Sequence, residues 1–216
     1  MERVFVRIGI VLILFANWYT ESHCQDVDSI ENHSIGLEFS TLGINFFNTE
    51  FSEKIHDRYF NTGSLHFQFR RYFATFRYLV LQGDIVNDIG TSGLWNDSSA
   101  VMFSMPMIEL GYTIVAGKKL KYSLAIGGGT SRASTLKIQN EYSDQVYKSN
   151  FRSVYTLSSL LEYIPFSVRI KDSFLKRINF ATILRGTYFS NFLPSEFNIT
   201  SSTLQLQANI SLRFLW

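Results

Sequence analysis

The C-terminal segment from Leu204 to Trp216 constrains the fold more than any other part of the chain. It reads LQLQANISLRFLW, so apolar and polar residues alternate over most of its length. Successive side chains of a β-strand point to opposite faces, so the segment predicts a strand with one apolar and one polar face. In a membrane barrel the apolar face contacts lipid and the polar face lines the lumen. In a soluble protein the polar face would meet bulk water, and the remaining segments have to decide between the two.

Seven further segments show a similar alternation or are rich in β-branched and aromatic residues. Together with the C-terminal segment they give strand candidates at residues 35–47, 63–71, 76–86, 104–116, 120–130, 151–163, 177–189 and 202–216. Bacterial membrane barrels have an even number of strands, and a tilted strand needs about 9 to 11 residues to cross the hydrocarbon. The sequence therefore predicts an all-β fold, an eight-stranded antiparallel transmembrane β-barrel with up-and-down meander order.

Two of these candidates leave details open. The third contains Arg77-Tyr78-Leu79-Val80-Leu81, which is apolar on both faces and leaves its register undecided. The fourth contains Pro106, which cannot donate a ladder hydrogen bond and so marks either a bulge or the rim of the strand.

The connections between the candidates alternate in length along the chain. Long connections alternate with tight ones over residues 48–62, 71–75, 87–103, 117–119 and 131–150. Outer-membrane barrels have short periplasmic turns and longer outer loops, so this alternation predicts that both termini are periplasmic. A β-sandwich gives no reason for such a pattern. The connection 164–176 is long and apolar for a periplasmic turn, which predicts either a segment in the inner interface or a plug at the base of the barrel.

The N-terminus has the pattern of a secretory signal peptide. Arg3 and Arg7 precede an apolar run over residues 8–16, which is shorter than the roughly 20 residues of a spanning helix. Small residues near the end of the segment predict cleavage after Cys24. Lipidation of Cys24 is the alternative, although the residues before it do not fit a bacterial lipidation site.

The chain is accordingly predicted to have three parts. These are a signal peptide over residues 1–24, a short periplasmic N-terminal segment over 25–34 and an outer membrane β-barrel domain over 35–216. No apolar run of about 20 residues follows the signal peptide, so no spanning helix is expected.

Few residues are suited to catalysis or to holding a cofactor. Cys24 is the single cysteine of the sequence, so after cleavage no disulfide or thiolate metal site can form, and we expect no cofactor. His66, on the predicted inner face of the second strand, is the one reasonable general base. A lipid-modifying enzyme would need His66 beside a serine and a carboxylate near the bilayer rim. The small barrels that deacylate lipid A carry a His-x-Ser pair, which this chain lacks, so we expect no enzyme activity.

The polar faces of the strand candidates carry charges of both signs, which the alternation places inside the barrel. The predicted luminal charge network consists of Glu38, His66, Arg70, Glu109, Lys121, Glu162, Arg185 and Arg213. An eight-stranded barrel is just wide enough for its side chains, so charges buried there must be paired or hydrated. This favours a structural ion-pair network. A narrow pore or a small-ligand carrier is the alternative and requires a continuous wet lumen past Glu109 and Arg185.

The charges in the connections and the strand ends beside them differ between the two ends of the predicted barrel. The outer connections and strand ends carry nine acids against six bases, whereas the periplasmic ones, with Arg77 included, carry ten bases against two acids. A basic collar of this kind predicts contact with anionic lipid headgroups. The bases are scattered over three turns rather than laid along one groove, so no nucleic-acid partner is expected.

The last eight residues resemble the C-terminal signal that the outer membrane barrel assembly machinery recognises. Asn209, Phe214 and Trp216 occupy its polar and hydrophobic-aromatic positions, and Ser211 stands where glycine is usual. Together with the signal peptide and the strand layout, the chain resembles the small outer-membrane barrels of Bacteroidetes, including the PorT-like group. The resemblance implies a cell outer membrane protein that contacts the assembly machinery and an envelope protein partner, with a link to secretion or envelope assembly.

These observations predict a non-enzymatic integral outer membrane β-barrel protein with a structural or protein-interaction role. A narrow pore or small-ligand carrier is the first alternative, and a lipid-modifying outer membrane enzyme is the second.

Overall fold

Eight β-strands make up nearly all of the part of the chain that the computed structural model describes, which is residues 33–47, 53, 55–85, 100–135, 148–171, 174–190, 193 and 202–216. The strands are β1 His33–Phe47, β2 Ile55–Phe69, β3 Tyr72–Ile85, β4 Ala100–Ala116, β5 Leu120–Thr135, β6 Arg152–Arg169, β7 Arg177–Ser190 and β8 Ser202–Leu215. Each has at least 14 residues. In the described residues, no helix is long and apolar enough to cross a membrane.

The strands form one closed antiparallel barrel. Each strand pairs with its neighbours in the chain, and β8 pairs back onto β1. Closure gives both terminal strands a partner on each side, so neither is an open edge. The predicted eight-stranded meander is confirmed.

The start of the barrel differs from the predicted boundary. The predicted signal peptide over 1–24 lies outside the described residues, as do residues 25–32 of the predicted N-terminal segment. The last two residues of that segment, His33 and Ser34, belong to β1. The barrel therefore begins two residues earlier than the sequence pattern indicated.

The two ends of the barrel have different connections. The start of β1, the end of β8 and the connections β2–β3, β4–β5 and β6–β7 lie at one end, termed the turn end. The other four connections lie at the opposite end, termed the loop end. The β2–β3 turn consists of Arg70 and Arg71, and Arg70 has a φ of 55°. A positive φ is what two-residue hairpin turns use.

The first six residues of the connection predicted over 164–176 belong to a strand. β6 continues to Arg169, so the β6–β7 turn is confined to residues 170–176. The β6–β7 register shifts at Pro165, and the strand resumes at Phe166. Ile164 is buried, whereas residues 165–169 are exposed, so this described part of the connection lies outside the lumen after Ile164. The predicted long turn was wrong because a β-bulge accommodates the proline within a continuing strand.

Strand pairing decides the two details that the sequence left open. Phe69 pairs with Tyr72 across the short turn, and this register directs Arg77 and Leu79 inward. Pro106 lies within β4, opposite Tyr78, and no register shift occurs there. It therefore marks neither a bulge nor the strand rim.

The interior of the barrel is filled with side chains and has two halves. Charged and polar side chains fill most of the half nearer the turn end. The half nearer the loop end holds an apolar cluster of Ile55, Leu79, Leu81, Ile85, Val101, Phe103, Met105, Met107, Ala133, Val154, Phe189 and Leu193.

Candidate functional site

The candidate site is the polar half of the lumen, to which β8 contributes the longest run of residues. Five successive inward positions of β8 are polar and buried, namely Gln205, Gln207, Asn209, Ser211 and Arg213, whereas the intervening apolar side chains are exposed or half-buried. This confirms the facing that the alternation of the C-terminal segment predicted.

Six buried charged side chains form one continuous chain of ion pairs, here termed the luminal relay. Its members, in order from the turn end, are Glu162, Arg213, Glu38, Arg185, Glu109 and Arg77, each from a different strand. Arg213 Nη2 lies 2.9 Å from Glu162 Oε2 and 3.0 Å from Glu38 Oε1. The β8 arginine therefore links β6 to β1.

The relay continues through Arg185, whose two terminal nitrogens each contact a different carboxylate. Arg185 Nη2 lies 2.9 Å from Glu38 Oε2, and Arg185 Nη1 donates to Glu109 Oε2. Arg77 Nη1 donates to the other oxygen of Glu109 at 2.9 Å. Both oxygens of Glu109 thus accept from arginine.

Neutral polar side chains add hydrogen bonds around the relay, although the Nε atoms of its three arginines, Arg213 Nη1 and Glu162 Oε1 are buried without a hydrogen-bond partner among the described residues. Ser158 Oγ donates to Glu109 Oε1 at 2.7 Å. Arg77 Nη2 donates to Gln207 Oε1 at 2.8 Å, and Gln207 Nε2 donates to Thr62 Oγ1 at 2.8 Å. These bonds connect the relay to β2, which contributes no member of its own.

The charges of the relay alternate in sign and cancel. It contains three glutamates and three arginines, and each arginine contacts at least one glutamate. Buried charges are tolerated when they are paired and hydrogen-bonded, so a neutral alternating chain can fill a closed lumen.

Glycine makes room for two members of the relay. A Cβ on Gly127 would lie 2.7 Å from Glu109 Cγ, and a Cβ on Gly36 would lie 2.8 Å from Arg213 Cδ. Glycine in a strand often marks such a close approach. The strands that face Glu109 and Arg213 are therefore matched to the bulk of these side chains.

The structure brings together five of the eight residues predicted for the luminal charge network as members of the relay. These are Glu38, Glu109, Glu162, Arg185 and Arg213. His66 is buried beside them, and Lys121 is half-buried near the turn end.

Arg70 is a correction to that predicted network. Its side chain is exposed, and its guanidinium lies 5.6 Å from the centre of the Phe69 ring. It lies outside the lumen because the residue forms the β2–β3 turn rather than the end of β2.

Arg77 is the member of the relay that sequence reasoning missed. The sequence pattern placed it among the periplasmic bases, but its side chain is fully buried and contacts Glu109 and Gln207. The error followed from the undecided register of β3. Counting from a two-residue turn at Arg70 and Arg71 would have directed it inward.

His66 lies in the lumen and not at the lipid-facing rim. Its Nδ1 lies 3.0 Å from Thr75 Oγ1 and 3.7 Å from Glu38 Oε1, and its ring stacks on Phe73. The histidine is 3% exposed. The hydroxyl that His66 contacts in the described structure is that of Thr75, whereas the lipid-modifying alternative requires a serine near the bilayer rim.

The pore alternative requires hydrated groups at Glu109 and Arg185. These two side chains are fully buried and contact each other directly. Beyond them toward the loop end the lumen is filled by the apolar cluster, which includes Phe103 and Phe189. The described interior is thus a packed core, as expected for a barrel of eight strands.

The three residues of the predicted assembly signal lie in different environments in the folded barrel. Asn209 is buried in the lumen, whereas Phe214 is half-buried on the outer face. Trp216 stacks on His33 and Phe174, with ring centroids 6.4 and 6.0 Å away. Within the described residues, no cluster of three or more His, Cys, Asp or Glu is suited to hold a metal ion.

Comparison with known proteins finds similarity to solved structures. No protein-family model matches the chain, and no curated protein is similar to it in sequence. Neisserial surface protein A (NspA) aligns with a TM-score of 0.49 at 8% identity, covering 85% of this chain and 97% of that one. Ail, the attachment invasion locus protein of Yersinia pestis, aligns with a TM-score of 0.42 at 7% identity, covering 85% of this chain and 99% of that one. The N-terminal β-barrel domain of Pseudomonas aeruginosa OprF aligns with a TM-score of 0.37 at 10% identity, covering 86% of this chain and 98% of that one.

Proposed function

We propose that this protein is a non-enzymatic integral β-barrel of a bacterial outer membrane. The observation that carries the proposal is a belt of exposed apolar side chains to which all eight strands contribute. One exposed residue from each strand, in chain order, is Phe39, Phe67, Phe76, Ile108, Ile126, Leu157, Leu184 and Ile210. Soluble monomers rarely expose a continuous apolar surface of this extent, whereas lipid covers such a belt on a membrane barrel.

The belt would face lipid without any unpaired strand along the barrel. Exposed side chains such as Phe39 and Ile126 are 59% and 67% accessible, although they are apolar and lie within paired strands. In lipid every backbone polar group needs a partner, and a closed ladder supplies it. The closed barrel and the apolar belt support the same location.

The first test is heat-modifiability after membrane fractionation of cells that express the full chain. We expect the protein in the outer membrane fraction, with different gel mobility before and after boiling. A soluble periplasmic protein without a mobility shift would contradict the proposal and indicate a soluble β-barrel binder.

Both termini are proposed to lie in the periplasm. The three longest connections, over residues 86–99, 136–151 and 191–201, share the loop end, and the two shortest share the turn end. Outer-membrane barrels place short turns in the periplasm. The signal peptide over residues 1–24 would direct the chain to this compartment.

Cysteine labelling tests this orientation because the sequence has one cysteine, Cys24. In a Cys24→Ser background we would introduce Ser98→Cys in the β3–β4 connection or Lys118→Cys in the β4–β5 turn. A membrane-impermeant maleimide should label intact cells at position 98 and reach position 118 after outer membrane permeabilisation. The reverse order would overturn the orientation while leaving the barrel intact.

A structural or protein-interaction role is supported by the packed lumen. The luminal relay crosses the barrel interior, and the apolar cluster and buried neutral polar side chains pack around it, so the outer surface and the connections are left to contact other molecules. A partner in the envelope, linked to secretion or envelope assembly as in the PorT-like barrels that the chain resembles, would then bind at the loop end or the turn end. Crosslinking from position 98 and from position 118 in cells would identify which end it contacts.

The C-terminal strand is proposed to be recognised by the barrel assembly machinery before the barrel closes. Asn209 is buried and Phe214 faces outward once β8 pairs with β1 and β7, so both are accessible together in the unpaired strand. The variant Phe214→Ser/Trp216→Ser should lower the amount of assembled barrel in cells. Unaltered refolding of the same variant in detergent would separate recognition from stability.

A further inference from the structure

We propose that the turn end of the barrel binds the headgroups of anionic phospholipids in the surrounding leaflet. The surface is a ring of basic residues, here termed the turn collar, which consists of Arg70, Arg71, Lys118, Lys119, Arg169, Lys171, Lys176 and Arg177. The inference rests on the proposed membrane location and names the lipid chemistry that the location would select.

The turn collar is formed by all three short turns and the strand ends beside them. Arg70 and Arg71 make the β2–β3 turn, and Lys118 and Lys119 lie in the β4–β5 turn. The other four lie in or beside the β6–β7 turn. Most of these side chains are exposed, and the remaining two are half-buried.

Acidic residues offset part of this charge. None of the described residues in the three turns is acidic, and the sequence adds Asp172 in the third turn and Asp26, Asp28 and Glu31 in the predicted N-terminal segment before β1. The nearest buried acids, Glu38 and Glu162, face the lumen and pair with Arg213. Arg77, which the sequence pattern counted at this end, is also inside the lumen. The eight bases of the turn collar therefore outnumber the four acids at this end, and the collar keeps a net positive charge.

Aromatic side chains place the turn collar at the level of lipid headgroups. Exposed rings directly beside it are Phe69, Tyr72, Tyr112, Tyr163 and Phe166. Such rings are enriched at the boundary between hydrocarbon and headgroups. Arg70 follows Phe69 in the chain and Arg71 precedes Tyr72, and the Arg70 guanidinium lies 5.6 Å from the centre of the Phe69 ring. Bases at this level can reach lipid phosphates.

The β6–β7 hairpin strengthens this arrangement. β5 begins at Leu120, opposite Tyr163, so residues 166–169 of β6 extend past it and pair with β7. Phe166 stacks on Phe180 at 4.7 Å between centroids, and Arg169 lies exposed beyond it. The extension thus places the Phe166 and Phe180 rings next to the Arg169 charge. A phospholipid has the same order of groups, with an apolar acyl chain next to a charged phosphate.

Anionic phospholipid is the occupant that these features favour. Arginine forms bidentate hydrogen bonds with phosphate, and lysine supplies a point charge. Basic residues close to an anionic lipid surface are attracted to it, and the effect weakens with salt. An acidic envelope protein would use the charges but gives no reason for the adjacent exposed rings.

The test is a competition between two lipids of equal chain length. The full mature chain is refolded in mixed micelles with equal phosphatidylglycerol and phosphatidylcholine, and the retained lipids are counted by native mass spectrometry. We expect phosphatidylglycerol to be retained in preference. The variant Lys118→Gln/Lys119→Gln/Arg169→Gln/Lys171→Gln should lower this preference at least about threefold.

A matched control removes bases at the loop end. Lys148→Gln/Arg152→Gln should leave the preference within about twofold of wild type, because these residues lie away from the turn collar. It is compared with the two-charge variant Lys118→Gln/Lys119→Gln, which should lower the preference. Lys118→Arg/Lys119→Arg, which keeps the charge, should retain it.

The outcomes separate this inference from the proposed function. A barrel that shifts on heating but shows no lipid preference, or loses it equally in the loop-end control, overturns the turn collar and leaves the membrane location standing. In that case binding of an acidic envelope protein becomes the explanation of the charge. A chain that forms no heat-modifiable barrel in lipid overturns the proposed function itself. If the four-charge variant does not fold, the two-charge variant decides.

Discussion

Replacement of Glu109 by glutamine is the most direct test of the luminal relay. Glu109 Oε1 accepts hydrogen bonds from Arg77 and Ser158, at 2.9 and 2.7 Å, and Oε2 accepts from Arg185. Glutamine has nearly the same shape, so Glu109→Gln removes one negative charge and one acceptor without creating a cavity. If the amide oxygen of the glutamine takes the place of Oε1, the amide NH2 group faces Arg185. Both groups are then hydrogen-bond donors, and no hydrogen bond can form between them.

The expected loss follows from these contacts. One charge-assisted hydrogen bond contributes about 1.5–3 kcal/mol. The substitution also leaves three buried arginines against two buried glutamates. Removal of one partner of a buried pair typically costs about 3–5 kcal/mol, because the remaining charge is left uncompensated. We expect the free energy of unfolding to fall by about 3–5 kcal/mol.

The assay is equilibrium unfolding by urea of the barrel reconstituted in lipid, followed by the gel mobility of unboiled samples. Glu53→Gln, at an exposed position, is the matched control and should change stability by about 0.5 kcal/mol or less. The double variant Glu109→Gln/Arg77→Gln restores neutrality and should lose less than the sum of the single losses. If Glu109→Gln lowers the free energy of unfolding by less than about 1 kcal/mol, Glu109 does not belong to a buried ion-pair network, because such a small loss is typical of a hydrated surface pair.

Three further predictions concern the outer face, the packing and the lumen. Ile210→Arg should lower the free energy of unfolding in lipid by about 2–4 kcal/mol, whereas Ile210→Leu should lower it by less than about 1 kcal/mol. Equal losses for the two variants in urea unfolding would contradict an outward-facing Ile210. Gly127→Ala should lower the free energy of unfolding by about 1–3 kcal/mol, because its Cβ would lie 2.5 Å from the Ile108 carbonyl oxygen and 2.7 Å from Glu109 Cγ, whereas Gly63→Ala has open space and should be tolerated; similar midpoints for the two would contradict the close approach. In planar bilayers the wild-type barrel should show no steady conductance, since the lumen is packed, and a reproducible open channel would restore the pore alternative.

The division of the lumen into two halves has a consequence for how the barrel is held together. In the loop half, apolar side chains such as Phe103 and Phe189 pack without directional constraint. In the turn half, the relay fixes specific pairs among six strands, from Glu162 on β6 to Arg77 on β3. Each of these ion pairs requires two particular strand positions to face each other, because a shift of one residue turns a side chain to the opposite face. We therefore expect the relay to define strand register more strongly than the apolar cluster does.

The sequence by itself determined the architecture and the facing of most side chains. In β8 the alternation is local, and the period of two directs Gln207 inward and Ile210 outward without reference to any other strand. The number of strands followed from the same local pattern. The bounds of β6 did not, because Pro165 reads as a strand end unless its partner strand shows that a bulge carries it.

The tertiary structure alone decided which charges meet. Arg213 contacts Glu38 across 175 positions of the chain, and Arg77 contacts Gln207 across 130. Such pairs depend on barrel closure and on the register of every intervening hairpin, and a shift of one residue turns a side chain to the opposite face. The two-residue turn at Arg70 and Arg71 sets that register for β3, so it directs Arg77 into the lumen and leaves Arg70 outside. No local pattern contains this information, because the partners are supplied by strands that become neighbours when the barrel closes.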